Sequence, residues 1–149
     1  MDKDQASFID RIYGAALEPH LWHELLPDIM DWLDCFAADM SVIRHGQGIV
    51  ANVSVTPDPT VLPEYIEYYW AINPRVEFGA AARVGQILSD RDIPLERRKR
   101  SEYYQEYVPR HRLGDYMGAL MRNDRDGMAY VGFLLPADAG PQRISSSSA

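Results

Sequence analysis

Two pairs of short apolar runs, each hinged on a turn signal, constrain this chain more than any other feature. FAADMSVIR (36–44) and GIVANVSVT are separated by His45-Gly46-Gln47-Gly48, and Tyr116 to Arg122 and Met128 to Leu135 flank Asn123-Asp124-Arg125-Asp126-Gly127. Runs that alternate or stay apolar over this length suit half-buried strands, and glycine-bearing or Asp-Gly connections join antiparallel neighbours. The sheet they build is therefore mainly antiparallel.

Helical periodicity fills the intervals. Phe8, Ile9, Ile12, Tyr13, Ala16 and Leu17 fall at helical spacing, which predicts an amphipathic packing helix over 5–17. After Glu18-Pro19, Leu21, Trp22, Leu25, Leu26, Ile29, Trp32 and Leu33 repeat the pattern over 20–34, where Pro27 is expected to restart or kink the helix. A third helix over 62–71 carries Tyr65, Tyr68, Tyr69 and Trp70 and stops at Asn73-Pro74, because a residue before proline is pushed out of helical angles. A short helix over 75–82, a short strand near 85–88 and a helix over 101–111 with Tyr103, Tyr104 and Tyr107 complete the order. The expectation is an α+β domain over 1–136, helices packed on an antiparallel sheet of about five strands, as in PAS and GAF architectures. Residues 137–149, ending in four serines and an alanine, have the composition of a flexible tail.

Bulk properties narrow the function classes. A chain of 149 residues suits one domain with a core of its own. Its N-terminus begins acidic and no stretch approaches the roughly 18 to 20 apolar residues of a membrane span, so a cytoplasmic location is expected with no membrane partner. A formal charge of −7 argues against nucleic-acid binding by this chain. The basic run Arg97 to Arg100 reads as a solvated face. Cys35 is the single cysteine, lies in an apolar run, and reads as a structural thiol.

Recognisable catalytic chemistry is missing from the pattern. His20 and His23 lack the further ligands a metal needs, and Gly46-Gln47-Gly48 lacks the third glycine and following helix of a dinucleotide loop. Asp28, Asp31 and Asp34 read as the wet face of a helix. No nucleophile and base are visibly paired, so no enzyme, metal or cofactor is expected. The informative feature is instead the pair of aromatic clusters. Their rings are either core packing or the walls of a small-molecule cavity, since tyrosine supplies both an apolar body and a polar tip.

The segments Tyr65-Ile-Glu-Tyr-Tyr69-Trp-Ala-Ile-Asn73-Pro74, Val84-Gly85-Gln86 to Ser89-Asp90, and Ser101-Glu-Tyr103-Tyr104-Gln-Glu-Tyr107 to Leu113-Gly114 resemble the N-terminal sensor region of LuxR-type transcriptional regulators. The resemblance spans 5–135. It implies a PAS-like or GAF-like domain that binds a small effector, dimerises, and works through a C-terminal helix-turn-helix. On that basis the candidate ligand-binding residues are Tyr65, Tyr69, Trp70, Asn73 and Tyr104. Quorum-sensing members carry Asp-Pro where this chain has Asn73-Pro74, which removes a charge-assisted bond to a lactone amide. No recognition helix follows Leu135, so this polypeptide alone is not expected to read DNA: it is either a fragment of a longer regulator or a sensor without output, expected as a homodimer or paired with a full-length regulator. The alternatives are a ligand-free protein-interaction module and, third, a small α+β enzyme.

Overall fold

The structure is a computed structural model that describes residues 2–56 and 58–135, excluding the Ala16 side chain. The expected tail at 137–149 lies outside the described residues. Five strands form one antiparallel sheet in the order β2-β1-β5-β4-β3: β1 is Ala37–Arg44, β2 Gly48–Val55, β3 Ile87–Ser89, β4 Asp115–Asn123 and β5 Gly127–Leu135. Both anticipated hairpins are present, and β5 lies against β1 to join them into a single sheet.

The sheet is covered on both faces because both carry side chains that burial stabilises. Ala38, Val53, Val55, Met117, Val131 and Phe133 point to one side, where they meet α1 (Lys3–Leu17) and α2 (Trp22–Leu33). Leu25 and Leu26 are fully buried there, each worth roughly 1.5–3 kcal/mol of transfer free energy. Cys35 is half-buried against this layer, and burial pushes its thiol up to about 11, which keeps it protonated and inert.

The opposite face packs two tyrosine-bearing rods. The first runs without interruption through α3 (Val61–Glu64), a π-helical turn (Tyr65–Tyr69) and α4 (Trp70–Ile72). Asn73 then turns extended and caps α5 (Pro74–Ala80), its Oδ1 accepting from the Arg75 backbone N–H at 2.9 Å. After β3 and α6 (Leu95–Lys99), the second rod passes from a π-helical turn (Tyr103–Tyr107) into α7 (Val108–Arg110).

Two expectations are corrected. The α1 stripe does not face inward as a whole: Phe8 and the fully buried Ala15 pack, while Ile9, Ile12, Tyr13 and Leu17 are exposed. The reason is that α1 packs against α2 and the turn before it, so only one narrow edge of the helix is covered. Pro27 does not restart its helix, which runs from Trp22 to Leu33 with Pro27 inside; the break falls at Pro19, which opens a short 3-10 turn, Pro19–Leu21. The wet acidic face is as expected, with Asp28, Asp31 and Asp34 all exposed.

Gly127 was read from sequence as a turn glycine, but space is what demands it. A Cβ there would lie 2.0 Å from the Ile43 carbonyl oxygen of β1. The turn itself is held by Asp124, whose Oδ1 accepts from the backbone N–H groups of Asp126 and Gly127.

Candidate functional site

Between the sheet and the two rods lies a cavity of about 100 Å³. For scale, a dry cavity of roughly 150 Å³ holds one benzene. Its floor is β1, β5 and β4, with Asp39, Tyr130, Leu134 and Leu120 among the lining residues, and its roof is Tyr65, Asn73, Arg75, Tyr103 and Tyr107. His111 and Asp58 line one end.

The roof is made by the π-helical turns. Each carries tyrosines at its first and last positions, and all four rings are buried: Tyr65, Tyr69, Tyr103 and Tyr107. Tyr69 stacks on Tyr107 with centroids 4.5 Å apart, and Tyr65 meets Tyr103 edge-on at 6.5 Å. Such pairs add about 0.5–1.5 kcal/mol each beyond burial. The Tyr107 hydroxyl donates to the Val61 carbonyl at 2.8 Å, which ties the second rod to the start of the first. π-Turns occur frequently at functional sites.

Two polar networks reach the cavity. In the first, Tyr65 and Tyr130 share a hydrogen bond of 2.9 Å, and the Asn73 amide donates to the Tyr65 oxygen at 3.0 Å. Beside them Asp39 Oδ1 accepts from Asn52 Nδ2 at 2.5 Å and from Ser54 at 2.7 Å, while Oδ2 accepts from Ser41 at 3.1 Å. Burial pushes the Asp39 carboxyl above its ordinary value, and the three donors act in the other direction. Burial likewise raises Tyr65 and Tyr130, so both phenols stay neutral.

The second network centres on Arg75, whose side chain is 4% exposed. Nε and Nη2 bind the two oxygens of Asp90 at 2.8 Å each, and Nη1 donates to Tyr103 at 2.9 Å. The guanidinium carbon lies 4.8 Å from the Tyr116 ring centre, 5.2 Å from Tyr104 and 5.3 Å from Tyr103. Burial works against the charge on Arg75, but Tyr103 and Asp90 outweigh it and keep the group cationic. Tyr104 donates to Asp90 Oδ1 at 2.6 Å, and the Tyr116 backbone N–H to Oδ2 at 3.2 Å. The Tyr116 ring rests on the directly paired Gly118 and Gly132, where a Cβ at Gly132 would come within 2.5 Å of it.

The five residues singled out from sequence take different positions. Tyr65 and Asn73 line the cavity. Tyr69 is buried one layer behind, against Tyr107, and Tyr104 stands behind Arg75 on Asp90. Trp70 packs instead over the β1–β2 turn, close to Gly48. Sequence reasoning missed Asp39, Arg75, Asp90, Tyr116 and Tyr130. For Asp39 a signal existed: Asp39, Ser41, Asn52 and Ser54 form a period-two polar stripe on one face of the first hairpin.

Elsewhere the chemistry is sparse. Among the described residues no group of three or more His, Cys, Asp or Glu could hold a metal ion, and no helix is long and apolar enough to cross a membrane. His20 and His23 are exposed. Of the basic run, Arg97 pairs with Glu77 at 2.7 Å and Arg98 reaches the Ile93 carbonyl, which leaves a solvated face.

No family model matches the sequence, and no curated protein matches it either. Among solved structures, the ligand-binding domain of VqsR from Pseudomonas aeruginosa superposes with a TM-score of 0.72 at 16% sequence identity, covering 99% of this chain and 89% of that one. The fold is shared. At that identity the likeness is one of architecture: a five-stranded antiparallel sheet with helices packed on it.

Proposed function

We propose that this chain is the small-molecule-sensing regulatory domain of a LuxR-type regulator, with no catalytic activity of its own. One observation carries the reading: a cavity with apolar walls and a few convergent polar groups lies between the sheet and the tyrosine rods, which is the general form of a ligand site. The fold shared with the VqsR ligand-binding domain supports the same reading. A guest would touch Tyr65 and Asn73 directly, while Tyr69, Trp70 and Tyr104 would position the rods that roof it. Occupancy would then favour one setting of those rods over another, as a ligand can only shift a balance between states it binds unequally.

Thermal shift against a broad library of small apolar and aromatic metabolites tests the reading, because a guest bound only by the native state raises the melting temperature. A library without a single stabiliser overturns it.

Dimerisation is part of the proposal and has its own support. Ile9, Ile12, Tyr13 and Leu17 leave an apolar stripe on α1 facing solvent, with Leu17 85% exposed. That stripe also favours the second reading, a ligand-free interaction module pairing with another copy or with a full-length regulator. Sedimentation separates the two when combined with the ligand screen: a dimer that no small molecule stabilises favours the module.

A further inference from the structure

The cavity floor carries a carboxylate without a counter-ion. Among the described residues no cation pairs with Asp39: its bonded neighbours are Ser41, Asn52 and Ser54, all neutral. The basic side chains nearest the cavity are engaged elsewhere. Arg75 is saturated by Asp90 and Tyr103, and His111 lies between Asp58 at 3.7 Å and Glu64 at 3.3 Å.

We propose that the effector of this domain carries a protonated amine, seated on Oδ2 of Asp39, with a ring-sized apolar body among the tyrosines. The inference rests on the sensor reading above and names the chemical class of its guest. Three features argue for it. First, Asn52 Nδ2 and the Ser41 hydroxyl bring N–H and O–H to the carboxylate, the Ser54 hydroxyl is shared between Asp39 Oδ1 and Asn52 Oδ1 at 2.7 Å each, and Oδ2 has one partner within 3.1 Å, so acceptor capacity remains. Second, Tyr65, Tyr107 and Tyr130 line the same cavity, and aromatic faces beside a carboxylate attract ammonium groups. Third, a net charge of −7 draws cations toward the protein and repels anions.

Desolvation of the carboxylate favours the same guest. Burial disfavours the charged form of Asp39, and an ammonium placed against it would offset that cost through a charge-assisted hydrogen bond. An acidic guest would place a second anion on this floor with no free cation to receive it. A cavity of about 100 Å³ is smaller than the roughly 150 Å³ that holds one benzene, so the rods must move apart to admit a ring with its amine, and one ring is the upper bound on the guest's apolar body.

The test uses benzylamine, benzyl alcohol and benzoate, which share a ring and differ in charge. Melting temperature and calorimetric affinity are measured on the full chain at neutral pH and fixed ionic strength, for the native protein and for Asp39→Asn, with circular dichroism to establish that the variant is folded. Benzylamine is expected to stabilise the native protein more than benzyl alcohol, and benzoate not at all. Asp39→Asn should weaken benzylamine by at least about tenfold, the loss of one charge-assisted contact, and leave benzyl alcohol within about twofold. Benzyl alcohol binding as well as benzylamine, or a folded Asp39→Asn that keeps the amine preference, would overturn the amine inference while the sensor reading stands. If none of the three binds, the inference falls; if the broad library also fails, the sensor reading falls with it.

Discussion

Replacing Asp90 by Asn should destabilise this protein more than any other single isosteric change at the site. Arg75 and Asp90 are 4% and 13% exposed, and the carboxylate takes two guanidinium bonds of 2.8 Å, the Tyr104 hydroxyl at 2.6 Å and the Tyr116 backbone N–H at 3.2 Å. All four partners are donors, so the Asn amide must turn its own NH2 toward a donor while a buried guanidinium loses its counter-charge. Breaking a buried pair in this way costs about 3–5 kcal/mol. For a chain of this length each kcal/mol moves the melting temperature by roughly 2–4 °C, so thermal melts should fall by roughly 6–20 °C. Urea titrations should show a lower midpoint with an unchanged slope. The double variant Arg75→Met/Asp90→Leu should lose less than Asp90→Asn alone, because it removes both charges and keeps apolar volume against Tyr103, Tyr104 and Tyr116. An Asp90→Asn protein within about 1 kcal/mol of the native one would refute the reasoning.

Other consequences can be checked alongside. Because the folded-state pKa of Asp39 is raised, the folded protein binds the proton more tightly than the unfolded chain; the group's stabilising contribution is complete below the unfolded value of 3.8 and is lost as pH rises through the folded one. Asp39→Asn should therefore melt higher than the native protein at neutral pH, and the gap should close as pH falls toward that value, which parallel melts across pH would follow. Gly132→Ala should push the Tyr116 ring off its glycine seat and destabilise by about 1–3 kcal/mol, measurable by urea unfolding. Tyr13→Arg with Leu17→Arg should shift a dimer to monomer in sedentation-type hydrodynamic measurements while leaving the melting temperature of the monomer within about 2 °C, since both side chains are largely exposed.

The hairpins were legible because period-two patterning and turn residues are local signals, and Ala38, Val53 and Val55 alternate with Asp39, Asn52 and Ser54 as the two-sided sheet requires. Asn73-Pro74 was legible for the same reason: the backbone restriction belongs to the dipeptide. The π-helical turns were not, because tyrosines at positions i and i+4 fit an α-helical stripe equally well. Nor was the inner lattice of the site. Arg75, Asp90 and Tyr116 are separated by dozens of residues in places and meet only after the sheet closes. The α1 stripe shows the opposite limit, since periodicity marks an apolar face without saying what covers it.

The central claim is that the space between the sheet and the tyrosine rods takes a guest, and heteronuclear NMR titration with the strongest stabiliser from the metabolite library tests it most directly. The account predicts saturable shifts concentrated at Tyr65, Asn73, Leu120, Tyr130 and Leu134, which surround the cavity. Shifts that fail to saturate, or that gather on the exposed α1 stripe with the cavity residues unmoved, would contradict it.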